Sequence, residues 1–282
     1  MYTPSCLRRS LVLLVTAATV PLSVGCRVTA DKAAPANVVP NERAKNDLSD
    51  KELIDRFHTL YYSRKPYMNT YLGIPSIQYP NDNWTMQEII AEVRPDVIIE
   101  TGTLNGGTSL FYADLLEKVR PRGKVITVDI VDKTQAVSKF PNWKKRVEFI
   151  LGSSVDPAVV EKIAREAQRA ATVMVTLDSD HTKTHVLKEL AAYAPLVTLN
   201  SYLVVQDTHL NGHPVRHISV PGEGPGEAVA EFLATTRDFV VDTSRERHLI
   251  SQNPGGYLKR VGQADRVTGA SASRTEGSSP SR

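Results

Sequence analysis

The 282-residue chain predicts an α/β protein: a mostly parallel sheet covered by helices on both faces and finished by a C-terminal antiparallel edge pair. Two observations carry this. Short β-branched runs alternate with amphipathic segments through the middle of the chain, and those runs are apolar at nearly every position, as strands buried on both faces must be. The strand runs are 96–100, 125–129, 147–150, 173–177 and 202–205. Helical spacing occupies 106–119, 157–170 and 184–193 between them, and 226–236 after them. Phe239-Val240-Val241 and His248-Leu249-Ile250, close in sequence, read as the antiparallel pair. Together these describe a Rossmann-like, doubly wound domain.

Composition narrows the function before any motif does. The net charge is +3, and the excess sits at the ends: two arginines without an acid in 1–26, and three arginines against two acids in 261–282. The body is neutral and offers no electrostatic footprint for nucleic acid. Both cysteines, Cys6 and Cys26, precede the body, which excludes a disulfide framework, a thiolate metal site and a cysteine nucleophile there. Residues 1–26 join two arginines to a short apolar run, Leu11 to Val24, and end in Leu22-Ser23-Val24-Gly25-Cys26. This reads as a signal peptide with a lipobox-like end. Residues 27–50 read as a tether, 51–260 as the folded domain and 261–282 as a disordered tail. The expected location is the bacterial cell envelope, lipid-anchored or exported, with membrane contact only through that N-terminus. A misassigned start codon would make the protein cytoplasmic instead. Oligomeric state is not legible.

Ligands of doubly wound sheets bind outside the carboxyl ends of the strands. Those ends here are Glu100-Thr101-Gly102, Asp129, Gly152-Ser153-Ser154, Asp178-Ser179-Asp180-His181 and Gln206-Asp207. The turn Glu100 to Gly107, with Gly102, Thr103, Gly106 and Gly107, opens a helix N-terminus toward a ligand. Asp129 ends the next strand, where a carboxylate accepts from both ribose hydroxyls. That spacing also fits a nicotinamide fold. The glycines do not follow Gly-x-Gly-x-x-Gly, however, and the acidic rim suits S-adenosylmethionine, which carries cationic groups and no pyrophosphate. Glu100, Gly102, Thr103, Gly106, Gly107, Asp129, Ser153 and Asp178 are therefore the expected cofactor-binding set.

Five ordered motifs then resemble one family: Ile99-Glu100 through Ser109, Leu177 through Thr182, Tyr202 through Thr208, Gly224 through Phe232 and Asn253 through Arg260. Between Trp84 and Arg260 the chain is similar to the cephalosporin hydroxylase/rhamnosyl O-methyltransferase family. The resemblance implies a class I, S-adenosylmethionine-dependent O-methyltransferase, assisted by Mg²⁺, acting on a hydroxylated small-molecule acceptor such as a sugar or natural product. Iron hydroxylation fails a residue test, because none of the seven histidines is followed two positions later by an acid. A hard cation takes oxygen ligands, so Asp178, Asp180, Gln206 and Asp207 are the metal candidates, with His181 as general base beside Asp178. Gln206 stands where the family usually has Glu, and Asn200-Ser201 where a Gly-Gly turn is usual. These departures leave a second expectation, an envelope-tethered binding protein on a degenerate methyltransferase scaffold.

Overall fold

The computed structural model describes residues 48–217 and 221–262. The signal-like segment, nearly all of the tether and nearly all of the tail lie outside these residues. Among them no helix is long and apolar enough to cross a membrane.

The compact unit starts inside the expected tether. Ser49 caps α1 (Asp50–Ser63) in a capping box with Glu52, and its own N–H donates to Glu52 Oε2 at 2.8 Å. The hairpin β1 (Met68–Tyr71) and β2 (Ile74–Ile77) follows, then α2 (Pro80–Val93), none of which the motif reading anticipated. From there the alternation proceeds as expected: β3 (Val97–Thr101), α3 (Gly107–Val119), β4 (Lys124–Asp129), α4 (Pro141–Arg146), β5 (Val147–Leu151), α5 (Pro157–Ala167), β6 (Val173–Leu177), α6 (Lys183–Tyr193) and β7 (Tyr202–Val205). The chain closes with α7 (Pro225–Thr235), β8 (Phe239–Val241) and β9 (Tyr257–Arg260).

The large sheet runs β5-β4-β3-β6-β7-β9-β8. Pairings from β5 through β7 are parallel, whereas β9 is antiparallel to both β7 and β8. The antiparallel element is thus present with a different partner. The segment 248–250 is not a strand, because a 3-10 turn at Thr243–Glu246 and a left-handed Leu249 (φ 68°) break the extension that pairing requires. Tyr257–Arg260 takes its place.

Alternation along β3 divides the core. Val97 and Ile99 pack with Ile163 of α5, Leu190 of α6 and Val229 of α7, while Ile98 faces Ile90 of α2 and Leu116 of α3. Each such residue, removed from water, contributes about 1.5–3 kcal/mol. Two buried layers fix the strands in register, and register aligns the carboxyl ends of β3, β4, β6 and β7.

Candidate active site

The turn after β3 is shaped as much by packing as by ligand approach. Gly102 has φ 86°, and a Cβ there would lie 1.9 Å from the carbonyl oxygen of Asp178. Its absence lets β3 and β6 end side by side, with Asp178 N–H donating to Thr101 O at 3.0 Å. Gly107 is needed elsewhere: its Cβ would strike the carbonyl of Pro75 at 2.2 Å, so it seats the hairpin against the start of α3.

A cleft of about 220 Å³ opens over these ends, lined by Gly102, Asp129, Ser153, Ser154, Ser179, Asp180 and His185 among others. Asp129 spans its rim, accepting from Leu104 N–H at 2.8 Å and Val131 N–H at 3.0 Å. Each of its oxygens keeps a lone pair for a further donor. Glu100 and Thr103 correct the expectation of direct cofactor contact, since both are turned into the core. Glu100 is 2% exposed and accepts from Ser109 Oγ and from Thr127 Oγ1 (2.7 Å); Thr103 bonds Thr127 Oγ1 at 2.7 Å. Burial pushes the Glu100 carboxyl up to about 7.

Beside the cleft, ligand atoms of Asp178, His181 and Asp207 lie within 4.8 Å of one another. His181 Nε2 is 3.4 Å from Asp207 Oδ2. Burial, and then the neighbouring Asp207, holds the Asp178 carboxyl well above its ordinary range. Asp180 stands apart from this cluster, because its Oδ1 accepts from both the N–H (2.8 Å) and the hydroxyl (2.6 Å) of Thr182 at the entry to α6. Gln206 is buried and donates to Thr176 Oγ1 at 3.2 Å, while its Oε1 has no hydrogen-bond partner.

Several residues here were not singled out from sequence. Gln78 donates to Asp178 Oδ2 at 3.0 Å, and Gln252 to Asp207 Oδ1 at 3.1 Å. The two amides are stitched together, since Tyr79 N–H donates to Gln252 Oε1 at 2.5 Å. Asp82 anchors the loop from below, accepting from Ser251 Oγ and Gln252 N–H, both at 2.7 Å. Asp207 itself has φ 58°, and its N–H donates to Asn253 Oδ1 at 3.1 Å. On the cleft side, Ser154 Oγ lies 3.0 Å from His185 Nε2, and Glu189 raises the affinity of that imidazole for a proton. A larger cavity, about 520 Å³, is lined by Lys51, Asp55, His213 and Glu227 and holds none of the strand-end carboxylates.

Residues 63–261 match the profile of the family described as Rhamnosyl O-methyltransferase/CmcI. The chain belongs to that family. The enzyme class expected from the sequence, an S-adenosylmethionine-dependent O-methyltransferase, therefore stands on family membership. It is 34% identical over 212 residues to the rhamnosyl O-methyltransferase of Mycobacterium tuberculosis (strain H37Rv), covering 73% of this chain and 84% of that one. The Mycobacterium leprae protein of the same name is 34% identical over 199 residues, covering 69% and 84%. Among solved structures, a CmcI structure with Mg-SAM aligns with TM-score 0.52 at 20% identity, over 69% of this chain and 77% of that one. That likeness is one of fold. Within the rhamnosyl O-methyltransferase/CmcI framework, Asn200 at the turn before β7 takes φ 65°, the left-handed conformation that Asn tolerates in place of glycine.

Proposed function

We propose that the chain transfers the methyl group of S-adenosylmethionine to a hydroxyl of a sugar or similarly hydroxylated small molecule, with Mg²⁺ held at the strand ends. The observation that carries this reading is the convergence of Asp178, His181 and Asp207 within 4.8 Å beside the cleft rimmed by Asp129. Two carboxylates at that spacing fit one hard cation, and the unpartnered Gln206 Oε1 is a neutral oxygen on the same strand end as Asp207. Asp178 and Asp207 would hold the ion, with Gln206 as a further donor.

A bound Mg²⁺ supplies Lewis-acid polarisation of an acceptor oxygen. The chain's own groups do the rest. Asp129 offers its free lone pairs to the ribose hydroxyls of the donor. His181 Nε2 faces Asp207 Oδ2 and is placed to take the acceptor proton. Gln78 and Gln252 each occupy one oxygen of a site carboxylate, which fixes the direction of the other oxygen.

The test uses the purified full chain with S-adenosylmethionine, Mg²⁺ and methyl α-L-rhamnoside, with methyl transfer read by mass spectrometry. Asp207→Asn should abolish transfer and preserve cofactor binding by calorimetry. Absence of cofactor binding in the parent would refute the methyltransferase reading, whereas binding without transfer to rhamnoside would refute the sugar acceptor alone. Persistence of an ordered Asp178–His181–Asp207 cluster supports an enzyme over a binding protein on a decayed scaffold.

A further inference from the structure

Four rings gather beside the acidic pair, and none of them lines the cleft rimmed by Asp129. Tyr62 of α1 is their centre: its ring centroid lies 5.1 Å from that of Tyr67, 5.6 Å from His209 and 5.6 Å from His217. Two ties fasten the group to the two carboxylates. His209 Nδ1 is 3.6 Å from Asp207 Oδ1. Tyr67 immediately precedes β1, where Asn69 Nδ2 donates to Gln78 O at 2.7 Å, and the Gln78 amide in turn holds Asp178. His217 is delivered by the loop after β7, which folds back on itself: Val215 N–H donates to His209 O and Asn211 N–H to His217 O, both at 3.0 Å.

Burial divides the group. His209 is fully buried and forms a floor, whereas Tyr62 and Tyr67 are half-buried and His217 is exposed. Packing alone does not ask for this, because a tyrosine stabilises a fold most when its whole ring is covered, as in Tyr112, Tyr193 and Tyr257 of the same domain. Aromatic faces left half open beside a few directed polar groups are the lining of a small-molecule site. The rings are also splayed, Tyr67 by 31° and His217 by 34° from the plane of Tyr62. Parallel faces grip a flat aromatic ring; splayed ones meet the C–H groups of a puckered ring while the phenol tips reach its hydroxyls. Burial, then Tyr67 and lastly Asp207, pushes the Tyr62 hydroxyl above its ordinary range, so it remains a neutral donor. We propose that Tyr62, Tyr67 and His217 form the acceptor subsite, a platform on which one face of a pyranose ring rests with a hydroxyl directed to Asp178, His181 and Asp207. This rests on the sugar-transfer reading above and names the surface that selects its acceptor.

The experiment reads acceptor binding without turnover. The full chain with Mg²⁺ and S-adenosylhomocysteine is titrated with methyl α-L-rhamnoside and followed by saturation-transfer NMR on the sugar protons, with calorimetric titration of S-adenosylmethionine on the same proteins. The parent should show its strongest signal on the C–H protons of one ring face. Tyr62→Leu and Tyr67→Leu should each raise the sugar Kd roughly two- to tenfold, and His217→Ala, at an exposed position, should act in the same direction without disturbing the fold. Tyr67→Phe keeps the ring and should stay near the parent. Tyr61→Leu is the packing control, since Tyr61 lies against Tyr79 instead (5.1 Å) and should leave sugar binding unchanged. Cofactor affinity should hold in every variant. No sugar signal from the parent overturns the platform, as does an equal sugar Kd in the parent and both leucine variants, or an equal loss in Tyr61→Leu and Tyr62→Leu. A stronger, ring-dependent signal from catechol than from the rhamnoside overturns the pyranose assignment in favour of flat phenolic acceptors. A ring-dependent sugar signal in a parent that does not bind S-adenosylmethionine would support the sugar surface and fail the methyltransferase reading alone.

Discussion

Replacing Gly102 by alanine tests whether the touching ends of β3 and β6 create the site. The new Cβ would lie 1.9 Å from Asp178 O and 2.6 Å from Asp178 C, where real contacts stay beyond 3.0 Å, so the strand ends must part by roughly 1 Å. Two costs add. Holding alanine at φ 86° costs about 1–2 kcal/mol, and forcing the strands apart costs about 1–3 kcal/mol more. In a domain of this size each kcal/mol shifts Tm by ~2–4 °C, so Gly102→Ala should melt roughly 5–15 °C below the parent. Cofactor affinity should fall at least about tenfold, since Gly102 lines the cleft and a displacement of this size breaks good hydrogen bonds near it. Gly73→Ala is the control: Gly73 has φ 82°, but nothing lies within 4 Å of its Cβ, so it bears the conformational cost alone. Thermal melts and calorimetric titration with S-adenosylmethionine read both effects. If the two variants melt alike and bind the cofactor alike, the strand-end contact is not what shapes the cleft.

Three further outcomes follow from the geometry. Asp129→Ala should weaken S-adenosylmethionine binding roughly tenfold or more, the worth of one charged hydrogen bond at ~1.5–3 kcal/mol; an unchanged Kd by calorimetry removes Asp129 from the ribose. Glu100 has a folded-state carboxyl raised by burial from 4.5 to about 7, so its contribution is complete below about pH 4.5 and lost as pH rises through about 7. Glu100→Gln should therefore gain on the parent by up to about 3 kcal/mol between roughly pH 5 and 8, read from urea midpoints, and a difference constant with pH contradicts the burial argument. Gln252→Glu keeps an acceptor for Tyr79 N–H but sets a carboxylate against Asp207 Oδ1, which lies 3.1 Å from the present donor. The variant should lose about 2 kcal/mol in EDTA and show a larger rise in Tm with Mg²⁺ than the parent; equal rises would separate Gln252 from the metal site.

The sheet was legible because burial on both faces writes a nearly unbroken apolar run: 202–205 is apolar from end to end, and 173–177 is interrupted only by Thr176. Strand ends were legible for the same reason, and of the carboxylates read there Asp178 and Asp207 lie in one cluster with His181 while Asp129 lines the neighbouring cleft. The final strand was not, because His248-Leu249-Ile250 carries a strand-like composition while its backbone turns left-handed at Leu249. Helix α2 had a readable signal, Met86, Ile89, Ile90 and Val93 at helical spacing, behind Pro80 at its first turn. Gln78 and Gln252 had none. Amides have no motif, and their value arises only when residues 174 positions apart meet two carboxylates. Glu100 was misplaced because a strand alternates sides, so the side chain next to a ligand-binding turn points into the core as readily as out of it; Thr103, past the end of β3, is turned inward by its hydrogen bond to Thr127 Oγ1.

The tie between Tyr79 and Gln252 bears on where this enzyme can be cut. The five motifs begin at Ile99, and a fragment starting at Trp84 would retain every strand of the large sheet. It would lack the donor that grips Asp178, the backbone partner that positions the donor on Asp207, and the Asp82 carboxylate beneath their loop. Such a fragment would also lose Ile74 and Tyr79 from the core and leave its acidic pair unaimed, so the smallest competent unit begins upstream of Gln78 rather than at the first recognisable glycine turn.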